Sequence, residues 1–253
     1  MSQTINDNIP LINLIILFVC ALVVGSLLVL PIYRFDYKHF KKSKLFIKMF
    51  FWIPIFLIFL AVLYSSSFDR TVFLALLIIA SYLEFRQRLK KADNKLILGI
   101  FFILFVIGLA HFFLLGLFYN KYIVNLLITI CFASVLSDVF AFLIGKSIGV
   151  HNLPEWINSS KTWEGVVGQI IGSLFGVMLV NYFVTPVASF WIFLPIGIGC
   201  AVGDLANSFA KKDAHVKYWS KAIPEHGGFI DRLSSIAFSA IFVFYFLVLT
   251  RLL

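Results

Sequence analysis

Long apolar stretches alternate with short polar connections along the 253-residue chain. Most of these stretches approach the roughly twenty residues that an α-helix needs to cross a hydrocarbon core about 30 Å thick. Matching the stretches to this length predicts helices over 11–32, 46–64, 71–84, 96–118, 122–145, 166–185, 188–206 and 229–250. The pattern therefore predicts an all-α, polytopic integral membrane protein with about eight transmembrane helices, the third of them short.

No separate soluble domain fits between the apolar stretches. We therefore predict one continuous membrane domain, in which residues 1–120 form N-terminal transmembrane helices and residues 121–253 form a C-terminal catalytic region with two polar loops. The N-terminus "MSQTINDN" contains no Lys or Arg and so lacks the basic region of a cleavable signal peptide. The first apolar stretch is expected to stay in the membrane.

The composition agrees with a membrane protein. Hydrophobic residues make up 61% of the chain and charged residues 13%, against roughly 45–50% and 25% in soluble domains. The net charge of +9 indicates interaction with an anionic lipid surface or with phosphorylated substrates. Nucleic acid is a poorer candidate partner, because no soluble face is available to contact its grooves. Cys20, Cys131 and Cys200 lie inside apolar stretches at unrelated spacings, so neither a disulfide framework nor a CxxC metal site is indicated.

The basic residues are distributed asymmetrically. With the N-terminus outside, eighteen of the 21 Lys and Arg residues face the inside, and only Arg70, Lys121 and Arg251 face the outside. Basic residues near the ends of spans are retained in the cytoplasm. We therefore predict a location in the inner (cytoplasmic) membrane, with the long polar connections 146–165 and 207–228 open to the cytoplasm, where nucleotides and metal ions are present.

Three acidic residues lie within or at the end of apolar stretches. A charge at membrane depth costs about 2.5–3.5 kcal/mol or more, so each is expected to have a partner or a function. Asp138 lies roughly 12 Å of helix rise from the predicted inner end of its span, and Asp204 about two turns from the inner end of its own. Glu84 adjoins Arg86 and Arg88, which favours an interfacial ion pair.

One stripe of a predicted helix carries groups that bind a cation and a phosphate. Asp204, Ser208 and Lys211 fall at positions i, i+4 and i+7, and so share a helix face. Mg²⁺ prefers oxygen ligands and usually binds through one or two carboxylates together with the phosphates of a substrate. The alternative is an ordinary helix end with a lysine that extends to the membrane surface.

The polar segment "KAIPEHGGFIDRLSS" precedes the last predicted helix. Gly227 and Gly228 allow positive φ and leave backbone N–H groups exposed to an anion. His226 can donate to a phosphate oxygen. Asp231 and Arg232 add a carboxylate for a metal and a fork-shaped phosphate donor. This combination favours a phosphate-handling loop over a plain connector.

The second polar connection reads "NLPEWINSSKTWEGVVGQIIGSLFG". It places hydrogen-bond donors and one positive charge directly before a helix, whose N-terminal N–H groups favour anions. The candidates for binding the ribose or triphosphate of a nucleotide are Asn158, Ser159, Ser160, Lys161 and Thr162. The glycines of a Walker loop are absent. Gly168, Gly172 and Gly176 recur at every fourth position of the following helix, which predicts a close-packing face.

These residues resemble the bacterial phosphatidate cytidylyltransferases, also called CDP-diacylglycerol synthases. The signature of that family runs approximately S-x-x-K-R, K-D and P-G-H-G-G-x-x-D-R-x-D, after an earlier S-P-x-K-T-W-E-G loop. This chain reads "SDVFAFLIGK", "NSSKTWEG" and "GDLANSFAKKDAHVKYWSKAIPEHGGFIDRLSS" in the same order and at the same spacing. The match extends from about Ser137 to Ser235, and the "YLEF" of the third apolar stretch also looks like the family.

The resemblance implies an integral membrane enzyme that joins CTP to phosphatidic acid, releasing pyrophosphate and leaving CDP-diacylglycerol. It also implies Mg²⁺ as the cofactor, leaves a contribution of K⁺ open, and makes a homodimer plausible. The implied catalytic residues are Asp204, Ser208, Lys211, Lys212, His226, Asp231 and Arg232, of which Asp204, Ser208 and Asp231 would hold the metal. The implied nucleotide-binding residues are Asn158, Ser160, Lys161, Thr162, Gly227 and Gly228.

The chain departs from the family signature at several positions. The departures are Tyr218 for the aspartate of K-D, Glu225 for the first glycine of P-G-H-G-G, Lys212 for the arginine of K-R, Ser234 for the last acid, and Asn158-Ser159 for S-P. The loss of two acids near the metal is expected to weaken cation binding, with Glu225 or Asp213 restoring part of the charge.

Three alternatives stay open at this point. A divergent family member would use another phospholipid, a polyprenyl phosphate or a phosphosugar as substrate. A catalytically impaired relative would act as a scaffold. A transporter is less well supported, because transporters commonly contain inverted repeats and the two halves of this chain show no internal repeat.

Overall fold

The structure, a computed structural model, describes residues 11–23, 44–118, 123–158, 160–187, 189–224 and 227–252. These residues form α-helices joined by short connections, with no β-strand, so the predicted all-α class is confirmed. The helices are α1 Leu11–Val23, α2 Lys44–Leu63, α3 Ser67–Leu89, α4 Lys95–Phe118, α5 Ile123–Ile148, α6 Trp163–Phe183, α7 Phe193–Asp213 and α8 Phe229–Leu249. A short 3₁₀ turn, Phe190–Ile192, precedes α7.

Five of these helices, α4 to α8, are long and apolar enough to cross a membrane. The helices α1 and α2 contribute shorter apolar stretches, Leu11–Val23 and Phe50–Leu63. The chain is therefore a multi-pass membrane protein. The second part of the first predicted span, residues 24–32, lies outside the described residues.

Two helices, α3 and α7, extend furthest beyond their predicted ends. The third was predicted over 71–84, but α3 begins at Ser67 because Ser66 and Asp69 form a capping box at its start. Helix α7 was predicted to end at residue 206, but it continues to Asp213. Hydropathy marks where a helix leaves the apolar layer, whereas backbone hydrogen bonding continues into the polar region beyond.

Helices α5 and α6 pack closely along the predicted glycine face. A Cβ atom added at Gly172 would lie 2.5 Å from the backbone oxygen of Leu136, and one at Gly176 would lie 2.5 Å from the Cα of Ala133. Real atoms do not approach so closely, so a side chain at either position would push the helices apart. The predicted packing role of this face is confirmed.

Replacing Gly172 by Val is therefore expected to destabilise the helix pair by about 1–3 kcal/mol, the usual effect of overpacking. The measurement is thermal unfolding of the purified protein in detergent. Gly99→Val is the matched control, because a Cβ at Gly99 has no neighbour within 4 Å. Equal midpoints for the two variants would contradict the packing role.

Helix α8 holds the C-terminal half together by packing against α4 and α7. Its contact with α7 is also close, since a Cβ atom at Gly199 would lie 2.5 Å from the Cα of Ser239. Between α7 and α8 the chain turns inward at Trp219, which is fully buried and stacks on Phe101 with ring centroids 5.8 Å apart. The indole Nε1 donates to Asn207 Oδ1 at 2.7 Å. The α7–α8 loop is thereby anchored in the core of the bundle.

Candidate functional site

Three polar connections meet at one end of the helix bundle. The backbone N–H of Asp93, between α3 and α4, donates to the carbonyl of Asp213 at 3.1 Å. The ring of Trp156, between α5 and α6, packs edge-on against Phe209 of α7. Lys212 Nζ donates to the backbone carbonyl of Glu155. All three connections are predicted to lie on the same side of the membrane. Segments on the same side can contact one another, as these do.

Lys161 joins the α5–α6 loop to α7. Its ammonium forms an ion pair with the Asp204 carboxylate and also donates to the Asp204 backbone oxygen at 3.3 Å. Gln169 Nε2 of α6 lies 3.4 Å from Asp204 Oδ2. The Asp204 side chain is 34% exposed, so the carboxylate keeps an open side. Two residues predicted for different ligands, a nucleotide and a metal, are therefore in direct contact.

Asp138 of α5 is the second carboxylate at this site. Ser235 of α8 donates its hydroxyl to Asp138 Oδ1 at 3.2 Å. The Asp138 carboxylate is close enough to Asp204, Lys161 and Arg232 for their charges to interact. Asp138 and Arg232 are both exposed residues at this end of the bundle.

The donor set around Asp138 and Asp204 suits Mg²⁺. Both residues offer carboxylate oxygens, and the hydroxyl-bearing Ser208 lies one turn beyond Asp204 on the same helix face. The described part of the chain contains no group of three or more His, Cys, Asp or Glu residues able to enclose a metal. Mg²⁺ does not need such a cage, because it commonly binds one or two carboxylates and completes its shell with water and substrate phosphates.

Asp231 is buried and accepts hydrogen bonds from the chain itself. Its side chain is 1% exposed, and Oδ1 accepts from Lys211 Nζ at 2.8 Å. Oδ2 accepts from the backbone N–H groups of Trp219, at 2.9 Å, and Gly228, at 3.0 Å. Both oxygens are therefore engaged with the chain itself. Asp138 lies close enough to Asp204 for the two charges to interact, whereas the predicted metal ligands were Asp204, Ser208 and Asp231.

The two glycines of the α7–α8 loop differ from each other. Gly227 has φ +87°, as predicted, but its N–H donates to the Ile223 carbonyl at 3.0 Å. Gly228 has an extended backbone with φ −96°, and its N–H donates to Asp231. The prediction that both N–H groups face an anion is therefore wrong for this conformation. The predicted phosphate donor His226, and Glu225 beside it, lie outside the described residues.

The predicted nucleotide-binding residues form a compact turn before α6. Asn158 Oδ1 accepts from the backbone N–H of Ser160 at 3.0 Å and from its hydroxyl at 2.6 Å. Thr162 caps α6 by accepting from the N–H of Gly165 at 3.2 Å. Lys161 is the member of this turn that reaches α7. Ser159 lies outside the described residues.

The remaining predicted residues differ in exposure. Arg232 and Lys212 are exposed, whereas Ser208 is 7% exposed. Ser234, which stands where the related signature has an acid, is 2% exposed, and its backbone oxygen contacts Gly203 in the close α7–α8 packing. An acid at position 234 would therefore be buried.

The predicted interfacial ion pair of Glu84 is not formed. In place of Arg86 or Arg88, the Glu84 carboxylate accepts from Ser220 and from the first backbone N–H groups of α8. These partners are separated from Glu84 by 136 to 146 positions. No local pattern could have indicated them. Gln169 and Ser235, which contact the two site carboxylates, were missed because an isolated polar residue in an apolar helix has no characteristic spacing.

Comparisons with known proteins identify related sequences. A sequence model of the cytidylyltransferase family matches residues 8–250. A phosphatidate cytidylyltransferase from Synechocystis sp. is 40% identical over 131 residues, covering 49% of this chain and 44% of that protein. A phosphatidate cytidylyltransferase from Aquifex aeolicus is 36% identical over 115 residues, covering 45% and 44%.

An uncharacterized protein from Escherichia coli, YnbB, is similar over nearly the same length. It is 33% identical over 114 residues, covering 44% of this chain and 38% of that protein. The matched part of the chain thus spans less than half the length of these curated relatives. No solved structure matches the chain.

Proposed function

The chain belongs to the cytidylyltransferase family, and on that premise we propose that it transfers CMP from CTP to phosphatidic acid. The products would be CDP-diacylglycerol and pyrophosphate. Relatives named phosphatidate cytidylyltransferase match about half of this chain at 36–40% identity, which supports this choice of substrates. The acceptor is a membrane lipid, so its acyl chains can stay in the bilayer during the reaction.

The observation that carries the proposal is the contact between Lys161 and Asp204. It joins the predicted nucleotide-binding turn to the predicted cation-binding helix, with Asp138 close by. A nucleotidyl transfer requires that a triphosphate and a divalent cation meet at one place. The geometry supports such a meeting at the polar end of α5, α6 and α7.

We assign the residues to roles as follows. Asp138 and Asp204 would hold Mg²⁺, with Ser208 near them, while K⁺ has no assigned ligands. Lys161 and Arg232 would neutralise the phosphates, because both carry charge beside the carboxylates. Lys212, His226 and the turn that contains Asn158 and Ser160 are the further candidates for contact with CTP.

Phosphoryl transfer depends mainly on positioning and on neutralisation of charge. Mg²⁺, when bound, supplies positive charge to the phosphate oxygens. The phosphate of the lipid would attack the α-phosphorus of CTP, forming a new P–O bond, while the bond between the α- and β-phosphates breaks and pyrophosphate leaves. Lys161 and Arg232 would orient the triphosphate, and Asp138 and Asp204 would hold the cation.

We place the protein in the inner membrane with the polar loops facing the cytoplasm. The support is the asymmetric distribution of Lys and Arg together with the contacts among the three connections assigned to that side. CTP is available in the cytoplasm, so the proposed reaction requires this orientation.

Radiolabelled CTP tests the proposal directly. Purified protein in detergent is incubated with Mg²⁺, phosphatidic acid and CTP labelled at either the α- or the γ-phosphate. We expect label from the α-position in the lipid fraction and label from the γ-position in pyrophosphate. Transfer to a polyprenyl phosphate or a phosphosugar, and not to phosphatidic acid, would identify that compound as the acceptor. No transfer to any of the three would contradict the enzymatic function.

A further inference from the structure

The Glu84 carboxylate lies at the start of a helix to which it does not belong. Its Oε1 accepts from the Ser220 hydroxyl at 2.6 Å and from the N–H of Phe229 at 3.0 Å. Its Oε2 accepts from the N–H of Ile230 at 3.1 Å. Glu84 is 6% exposed. A buried carboxylate of α3 is thus fully occupied with the loop before α8 and with the first residues of α8.

This arrangement performs the task of a helix cap. The first N–H groups of a helix have no partner within the helix, and they favour a negative charge. The N-cap position of α8 is Gly228, which has no side chain to accept them. A Cβ atom at Gly228 would collide with the Glu84 carboxylate. The absence of a side chain at position 228 is therefore what lets Glu84 reach α8.

Arg88 strengthens the same connection from the same face of α3. It lies four residues after Glu84, and its Nε donates to the Trp219 carbonyl at 2.8 Å. The N–H of Trp219 donates to Asp231. The dipeptide Trp219–Ser220 is therefore held from α3 on one side and from α8 on the other.

We propose that Glu84 and Arg88 form a clamp that positions the α7–α8 loop and the start of α8 for substrate binding. The inference rests on the proposed function, in which Arg232 of α8 and His226 of the loop would bind the phosphates of CTP. Glu84 and Arg88 are positioning residues. They contact the loop and the start of α8, the segments that contain His226 and Arg232. They have no direct role toward the substrate.

Glu84→Gln tests the clamp with almost no change in size. Its amide nitrogen would face a backbone N–H, so the first turn of α8 loses one acceptor and the charge. We expect the KM for CTP to rise at least about fivefold and kcat to fall about tenfold or more, because small displacements of positioning groups reduce rates strongly. The KM for phosphatidic acid should change less. A residue needed only for folding would lower the active fraction and leave both KM values unchanged.

Hydrogen–deuterium exchange of the purified protein provides a readout that does not depend on activity. In Glu84→Gln we expect faster exchange in peptides covering 219–230, with α5 and α6 unchanged. Glu155→Gln is the matched control, since Glu155 is exposed and contacts Lys212 only through its backbone carbonyl. If Glu84→Gln does not fold, Ser220→Ala removes one of the three bonds and should give a smaller effect of the same kind.

The outcomes separate the clamp from the proposed reaction. Unchanged exchange over 219–230 in both variants would overturn the clamp, whether or not the protein transfers CMP. Faster exchange confined to this segment would support the clamp even if another acceptor proves to be the substrate. Faster exchange throughout the chain in both variants would overturn it in favour of a general structural role.

Discussion

Asp204→Asn is expected to lower turnover with CTP and phosphatidic acid by about 10²–10³-fold, the usual effect of losing one electrostatic group aimed at the reacting charge. The substitution keeps the size of the side chain and removes its charge. Asp204 contacts Lys161 and lies near Asp138, so under the proposed function the loss would affect both the cation and the placement of the nucleotide. The measurement is the transfer of α-phosphate label to lipid.

Asp93→Asn is the matched control for this result. Asp93 is an exposed acid at the same end of the bundle, where its Oδ2 pairs with His215 Nε2 at 2.9 Å. It should retain normal turnover. The Asp204→Asn variant should also keep the thermal midpoint of the unsubstituted protein, because its side chain is partly open to solvent. Turnover within about twofold of the unsubstituted protein would remove Asp204 from the proposed site.

Asp231→Ala is expected to act on the fold, with a loss of about 3 kcal/mol or more. Removing one partner of a buried ion pair leaves the other charge without compensation. Here the substitution leaves Lys211 unpaired and also removes the acceptor for the N–H groups of Trp219 and Gly228. Thermal unfolding in detergent measures the effect, and activity would fall as a consequence of the lost structure.

Asp93→Ala serves as the comparison for stability. Both partners of its ion pair are more than 60% exposed, and exposed pairs contribute about 0–1 kcal/mol. The thermal midpoint of Asp93→Ala should stay close to that of the unsubstituted protein. If Asp231→Ala had the same thermal midpoint as Asp93→Ala but had lost its turnover, this result would support Asp231 as a metal ligand.

The hydrophobic pattern predicts the fold class because a membrane span needs a minimum apolar length. It locates α4, α5 and α8 within a few residues of their observed ranges. It fails at the ends of α3 and α7. The start of α3 depends on the capping box of Ser66 and Asp69, and the end of α7 lies among charged residues such as Lys211 and Lys212. Neither feature is apolar, and so hydropathy does not register them.

Motif spacing identified the right segments but not the contacts within them. Asp204, Ser208 and Lys211 do share a helix, yet Asp204 pairs with Lys161 and Lys211 pairs with Asp231. Two carboxylates in one signature look equivalent in sequence. Only the packing shows that the Asp204 side chain is partly exposed, whereas the Asp231 side chain is buried and accepts hydrogen bonds from three donors.

Asp138 shows what an isolated residue can and cannot indicate. The cost of a charge at membrane depth marked it as a residue with a function or a partner. Its partners are Ser235 and the charges of Asp204, Lys161 and Arg232, which come from two other helices and a loop. Periodicity along one helix contains no information about the proximity of residues on different helices, so the charge interaction between Asp138 and Asp204 emerges only from the structure.

Binding of Mn²⁺ in place of Mg²⁺, followed by electron paramagnetic resonance on purified protein with CTP, tests the Asp138–Asp204 site most directly. We predict CTP-dependent Mn²⁺ binding whose affinity falls at least about tenfold in Asp138→Asn and in Asp204→Asn, since even outer partners of a metal contribute that much. Asp93→Asn should bind as the unsubstituted protein does. Mn²⁺ affinity that is unchanged in both site variants would show that the cation lies elsewhere.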